Sequence, residues 1–264
     1  MRKRRNKKCN PDENQNEWPE WFTPITHPVE SEILAYVLKS NSRLGEVYFT
    51  VNMMQINYIV FKRNYEELVR LQDEFNKPLI FRELALQTDK GREITQDVIL
   101  EFTRLLHNFL ASAKMLVDVT RRWVRQQFDG TEFLITYQAE ITKRFATNVQ
   151  ANFLEDLRNF ALHRTLPLAI PELRLQQVEE HALKSSLGIV LIKNHLLEWK
   201  EWSELGRMQM DMVFDGEVDI QLVNKQYFDN VTAFTRWLFW QVRNFFNNEV
   251  NQINSAIQSV PKRS

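Results

Sequence analysis

Residues 44–68, LGEVYFTVNMMQINYIVFKRNYEEL, decide the fold, because their apolar side chains recur at spacings of three and four. This spacing places the apolar side chains on one face of a helix. The pattern ends before Pro78, and a proline ring disfavours helix continuation. The apolar positions are Leu44, Val47, Val51, Met54, Tyr58, Phe61, Tyr65 and Leu68. The segment therefore predicts one long amphipathic helix.

Helical spacing returns in several other parts of the chain. The predicted helices cover residues 29–38, 98–124, 133–145, 194–202 and 231–253. The scarcity of Gly (6) and Pro (8) argues against an all-β fold with many turns. Because 44% of the 264 residues are hydrophobic, with 18 Phe and 7 Trp, the chain can build a sizeable core.

A further helix is predicted between residues 148 and 164. Asn148 follows a break in the pattern and is expected to cap this helix. Pro167 biases the residue before it away from helical angles, so the helix should end near His163 or Arg164.

Residues 168–193 read as a β-hairpin whose turn lies between Glu179 and Ser186. The predicted fold is therefore mainly α, a bundle of five to seven helices with a small β-hairpin insertion. Residues 29–264 are expected to form a single helical domain, preceded by a basic, irregular leader over residues 1–28.

The leader carries an unusual charge. Residues 1–9, MRKRRNKKC, contain six of the 34 basic residues and no acid, so the rest has 28 basic and 34 acidic residues, a net charge of −6. Clustered Lys and Arg are typical of an arm that binds nucleic acid or an anionic surface. A solvated terminus that aids solubility is the other interpretation.

The sequence also indicates the cellular compartment of the protein and whether it is expected to associate with a membrane. The single cysteine, Cys9, excludes an internal disulfide and favours a reducing, cytoplasmic setting. No apolar run follows the basic start, so no signal peptide is expected. The most apolar stretch, residues 234–246, contains Arg236 and Arg243 and is too short to cross a bilayer, so no membrane association is predicted.

The sequence lacks the motifs of several common metal-binding, nucleotide-binding and hydrolase sites. No His has a Glu three positions earlier, there is no His-x-x-x-His, and cysteines do not cluster, so the sequence predicts no metal site. Phosphate-binding loops of the Gly-x-Gly-x-x-Gly and P-loop types are absent, as is a Gly-x-Ser-x-Gly elbow. We therefore expect no cofactor.

One short segment carries residues suited to catalysis. Residues 153–167, FLEDLRNFALHRTLP, contain Arg158-Asn159-x-x-x-His163. Histidine exchanges protons near neutral pH, and arginine grips phosphate oxygens bidentately. Such a pair suits acid–base chemistry at a phosphate ester. His163 would be the general acid or base, Arg158 the phosphate anchor and Asn159 the orienting group.

The segment resembles the HEPN superfamily, helical proteins whose active members carry Arg-x(4–6)-His, often with a polar residue after the Arg. The stretch RLLHNFLASAKMLVDVTRR, residues 104–122, looks like the partner helix of such a bundle. The resemblance implies metal-independent cleavage of RNA, homodimerisation, and a role as a toxin or in defence. It also leaves room for a neutralising protein partner.

The spacing of the motif sets a geometric condition. Five residues on an ideal helix turn about 500°, which leaves Arg158 and His163 about 140° apart. The two side chains converge if His163 lies where the helix unwinds, or if two protomers share a cleft.

Further candidate residues, which would support the motif, lie on the helix predicted over residues 98–124. His107, Asp118 and Arg122 share one stripe with Arg104 and Ala111. The stripe either faces the Arg158–His163 region or is a solvated helix face. Asp118 and Arg122 have the spacing of a helix ion pair.

Other interpretations of the whole chain stay open. In one, the fold is a catalytically inert, HEPN-like helical interaction module. Arg158 would then pair with Glu155 or another acid, and His163 would bond the last carbonyls of its helix. In another, the chain binds nucleic acid through its basic leader alone.

Overall fold

The computed structural model describes residues 42–77, 88–179, 182–212 and 216–258, together with Trp18, Lys39 and Ile80. These residues form a mainly helical fold with one small sheet, as the apolar spacing predicts. The basic leader, apart from Trp18, and the helix expected at residues 29–38 lie outside the described residues.

Eight α-helices occur within the described ranges. The first four are α1 (Ser42–Phe75), α2 (Asp89–Phe128), α3 (Glu132–Ile141) and α4 (Val149–His163), and a π-helical turn (Thr142–Ala146) precedes α4. The others are α5 (Lys193–Leu196), α6 (Glu204–Asp211), α7 (Ile220–Phe245) and α8 (Asn247–Gln258). Helix α1 stops before Pro78, as predicted, whereas α2 extends beyond the predicted residues 98–124 at both ends.

The sheet consists of β1 (Ala169–Glu179), β2 (Ala182–Ile192) and β3 (Glu217–Val218), antiparallel and in that order. Ala169 pairs with Leu191, and Leu191 pairs on its other side with Val218. The hairpin predicted over residues 168–193 is thereby confirmed. Strand β3 was not predicted, because two residues are too few to show an alternating pattern.

The chain divides into two compact units. The larger unit, residues 57–230, has a phenylalanine-rich core in which Phe61, Phe109, Phe153 and Phe160 are each fully buried. The smaller unit comprises residues 1–56 and 231–264. Whether residues 29–264 fold as one domain stays a prediction.

Aromatic side chains are also buried among the residues of the smaller unit. Phe239 and Phe246 are almost completely buried. The Trp18 ring lies edge-on to Phe239, with ring centroids 6.2 Å apart. The Arg236 guanidinium lies 5.4 Å from the centroid of the Trp18 ring, an arrangement that favours a cation.

Two helix predictions need correction. The helix expected over residues 194–202 ends at Leu196, because the Trp202 indole N–H donates to the Leu196 carbonyl at 2.8 Å and holds the chain in a non-helical path. The helix expected over residues 231–253 begins at Ile220 and is divided into α7 and α8 at Phe246. Its apolar spacing continues across the division, so periodicity alone does not reveal it.

No described helix combines the length and the apolar character that a bilayer span requires.

Candidate functional site

Helix α4 places the Arg158 motif at the edge of the core of the larger unit. Its interior face carries Phe153, Leu157 and Phe160, each fully buried. The indole of Trp202 stacks on Phe153, with ring centroids 5.4 Å apart. Arg158 lies beside this face and is half-buried, so the backbone that carries it is held by packing.

The start of α4 is formed by the predicted cap. Asn148 has extended backbone angles, and its side-chain Oδ1 accepts a hydrogen bond from the Ala151 N–H at 2.8 Å. This bond satisfies one of the N–H groups that the first turn of a helix leaves without a partner. The prediction for Asn148 is confirmed.

Arg158 and Asn159 contact each other. The Arg158 guanidinium donates through Nη1 to Asn159 Oδ1 at 3.1 Å, and both side chains are half-buried. Among the described residues, no carboxylate forms an ion pair with Arg158, including Glu155, the partner considered from the sequence. The bond uses one guanidinium N–H, and the remaining donors are available to an anion.

His163 lies at the exposed end of the same helix. It is the last residue of α4, and the next N–H, that of Arg164, donates to the Phe160 carbonyl at 2.9 Å. Helical geometry therefore persists through His163, which keeps the two side-chain directions about 140° apart and separates the positions by about 7.5 Å along the axis. Unwinding at His163 does not bring it to Arg158 within one chain.

The predicted stripe on α2 is mostly a solvent-facing surface. His107, Arg122 and Ala111 are exposed, and Arg104 forms a bidentate pair with Glu101 at 2.6 and 2.7 Å. This pair raises the pKa of the Arg104 guanidinium.

Asp118, in the same stripe, pairs with a residue other than the predicted one. Its carboxylate contacts Lys114 Nζ at 3.0 Å, one turn before it, rather than Arg122 one turn after it. Lys114 and Arg122 are each four residues from Asp118, so the spacing alone does not predict which of them forms the ion pair. The lysine side chain is 31% exposed, so it already lies along the helix surface within reach of the carboxylate.

His107 nevertheless belongs to a concave surface, a cleft of about 700 Å³ within the larger unit. We call it the His107 cleft. Its lining comes from α2, from the segment after α4, and from His195. The residues are Ile99, Leu100, Thr103, Arg104, His107, Asn108, Thr165, Leu166, Pro167, Leu168, Ala169 and His195. Neither Arg158 nor His163 is among them, although Thr165, two residues after His163, is.

His195, three residues after the end of β2, also lines this cleft. Its Nδ1 accepts a hydrogen bond from the Leu168 N–H at 3.1 Å, and its ring lies edge-on to Phe160 at 5.5 Å. An imidazole that accepts at Nδ1 carries its proton on Nε2, which can then donate to a ligand. The sequence holds no signal for this placement, since His195 and Leu168 are 27 residues apart.

Metal binding has no candidate within the described ranges, where no group of three or more His, Cys, Asp or Glu side chains is arranged to hold an ion.

A comparison with models of known protein families finds no match, and neither curated proteins nor solved structures give a significant match.

Proposed function

We propose that this protein cleaves RNA without a metal ion, using Arg158, Asn159 and His163. The observation that supports this most directly is the contact between the Arg158 guanidinium and Asn159 Oδ1. It holds a half-buried cation whose other donors are free for a phosphate, five residues before an exposed histidine. The resemblance of the motif to the HEPN superfamily supports the same chemistry.

The reaction would proceed by attack of a ribose 2′-OH on the adjacent phosphorus. A base removes the 2′-OH proton, the new 2′-O–P bond forms, and the P–O5′ bond breaks. The leaving 5′ oxygen takes a proton from an acid. The products are a 2′,3′-cyclic phosphate and a 5′-OH end. His163 serves as acid or base, and Arg158 stabilises the charge on the non-bridging oxygens.

The proposal includes a homodimer. Because Arg158 and His163 diverge on one regular helix, Arg158 of one protomer must meet the partner's His163 over the phosphate. A cytoplasmic setting, a role as a toxin or in defence, and a neutralising protein partner belong to the same proposal. The single Cys9 supports the setting, and the family resemblance supports the role.

The test is cleavage of mixed RNA by purified protein in EDTA, with analysis of the 3′ ends. We expect 2′,3′-cyclic phosphates from the wild type, and a rate at least about 100-fold lower for His163→Ala. Arg158→Ala should lose activity comparably, whereas Arg92→Ala, which removes an exposed arginine of α2, should not. Equal background cleavage by wild type and His163→Ala would end the enzyme proposal.

A catalytically inert interaction module is the second candidate. Leu100, Leu166 and Leu168 line the His107 cleft and are 70%, 52% and 50% exposed. Clustered exposed leucines are typical of surfaces that bind another apolar surface. In this role the His107 cleft would bind the apolar face of a partner protein. The absence of cleavage in the EDTA assay would favour this role.

A further inference from the structure

A second cleft of the larger unit, with a volume of about 430 Å³, contains a buried polar group without a partner. The cleft lies among α1, α2, β1 and the first turns of α7, and we call it the Asn224 cleft. Its lining residues are Tyr65, Leu68, Val69, Gln72, Asp73, Phe102, Arg174, Asp219, Gln221, Leu222, Asn224 and Lys225. Leu68 and Phe102 are buried, whereas Val69 and Leu222 are 41% and 52% exposed.

Asn224 carries the observation that points to a ligand. The residue is only 2% exposed, and its Oδ1 has no hydrogen-bond partner among the described residues. Buried amide oxygens almost always accept a hydrogen bond, since leaving one unsatisfied is costly. A donor supplied by a molecule in the cleft would satisfy Asn224.

The charges of the cleft disfavour an anionic molecule. The lining contains two cations, Arg174 and Lys225, and two carboxylates, Asp73 and Asp219. Arg174 pairs with Asp219 at 2.8 Å, and Lys225 pairs with a neighbouring carboxylate at 2.6 Å. Because both cations of the lining are already paired with carboxylates, the cleft offers an anionic ligand little net attraction.

The remaining polar groups are either engaged or neutral. Gln72 donates to the Leu187 carbonyl, and Gln221 donates to the Gln72 side chain. Burial, reinforced by Asp229, raises the pKa of the Tyr65 hydroxyl, so it stays protonated at neutral pH. The Tyr65 side chain belongs to the lining, and its ring stacks on Phe228, with centroids 4.0 Å apart and planes at 10°.

We propose that the Asn224 cleft binds a nucleobase, presented either by a free nucleoside or by single-stranded RNA. A side-chain amide matches the adjacent donor and acceptor on the edge of a base, and the apolar and aromatic walls suit its faces. The base is neutral, which suits a lining whose cations are already paired. This inference does not depend on RNA cleavage, because the cleft contains none of Arg158, Asn159 and His163.

The test is calorimetric titration of full-length His163→Ala protein, which avoids any loss of RNA to cleavage. The probes are the four ribonucleosides and the four five-residue homopolymeric RNAs. We expect at least one base to bind in at least one form. Asn224→Leu, which removes the amide at similar volume, should weaken that binding by about tenfold or more.

Two further variants distinguish a loss of the binding site from a loss of the fold. Val69→Trp fills the mouth of the cleft from an exposed helix position and should abolish binding without changing the far-ultraviolet circular dichroism. Asn244→Leu removes an exposed amide of the same helix, α7, and should leave the affinity unchanged.

The two forms of probe distinguish the source of the base. Nucleoside binding without oligonucleotide binding identifies a free nucleoside, and oligonucleotide binding that Val69→Trp abolishes identifies RNA. The inference is overturned if no probe binds at millimolar concentration, or if Val69→Trp and Asn224→Leu bind as tightly as the parent protein. A negative cleavage assay does not affect either result.

Discussion

Asp156 shows how one residue can organise the contact between two elements. Its carboxylate is 9% exposed, and Oδ2 accepts hydrogen bonds from the Ser203 N–H at 2.8 Å and the Ser203 hydroxyl at 2.6 Å. The Ser203 oxygen in turn accepts from the Gly206 N–H at 3.0 Å. A negative charge is thereby held at the positive end of α6, where the helix dipole stabilises it.

Replacing Gly206 by alanine tests this arrangement. In most helices Gly→Ala stabilises by up to about 1 kcal/mol, but here the new Cβ would lie 2.2 Å from Asp156 Oδ2. We therefore expect the opposite sign, a loss of about 1–3 kcal/mol in the free energy of unfolding, measured by urea denaturation. In a protein that already carries Asp156→Ala, adding Gly206→Ala should not lower the free energy of unfolding further, because the carboxylate that the new Cβ would meet is absent. A stabilised Gly206→Ala single variant would contradict the geometry.

The candidate site was only partly predictable at this scale. The sequence singled out Arg158 and Asn159 as neighbours, and their side chains do contact each other. It did not place His195 in a cleft with His107, nor Asn224 in a cavity, because both placements depend on residues distant in sequence. A polar residue in a helical pattern looks the same whether it faces solvent or an interior cavity.

At the scale of elements, the predictions that held depend on local interactions. The start of α4 is set by a hydrogen bond between residues 148 and 151, and its end lies four residues before Pro167. The prediction for Trp199 and Trp202 failed because these side chains pack on Phe160, with centroid distances of 6.1 Å, instead of extending a helix. That contact spans about forty residues and leaves no trace in local spacing.

The cap of α4 supports a second prediction. Asn148→Ala should lower the free energy of unfolding by about 1 kcal/mol, because the Ala151 N–H loses its acceptor. Asn148→Asp keeps an acceptor oxygen and adds a favourable charge, so its stability should match or exceed that of the wild type. Thermal or urea denaturation measures both. Equal losses in the two variants would show that the cap bond contributes nothing.

At the scale of the whole molecule, the proposed nuclease depends on two copies of the chain. Mixing the inactive Arg158→Ala and His163→Ala proteins, after denaturation and refolding together, tests this directly. In a mixed dimer, one composite site combines an intact arginine with the partner's intact histidine. Half of the dimers would be mixed, each with one working site, so activity should return to about a quarter of the wild-type value.

The same mixture distinguishes a site shared by two protomers from a site within one chain. If Arg158 and His163 of one protomer acted together, every site in the mixture would lack one group, and no activity would return. The control mixes His163→Ala with the double variant Arg158→Ala/His163→Ala, which contains no intact histidine and should stay inactive. Sedimentation of the wild type provides a second measurement, since a strictly monomeric protein is incompatible with a shared site.

The sequence by itself determined the mainly helical class, the positions of α1, α2 and α4, the hairpin at residues 168–193 and the cap at Asn148. These features follow from spacing, capping and turn preferences that act over a few residues. Only the tertiary structure decided the two clefts and the path of the chain through Trp202. Those depend on packing between residues far apart in the chain, which short-range patterns do not encode.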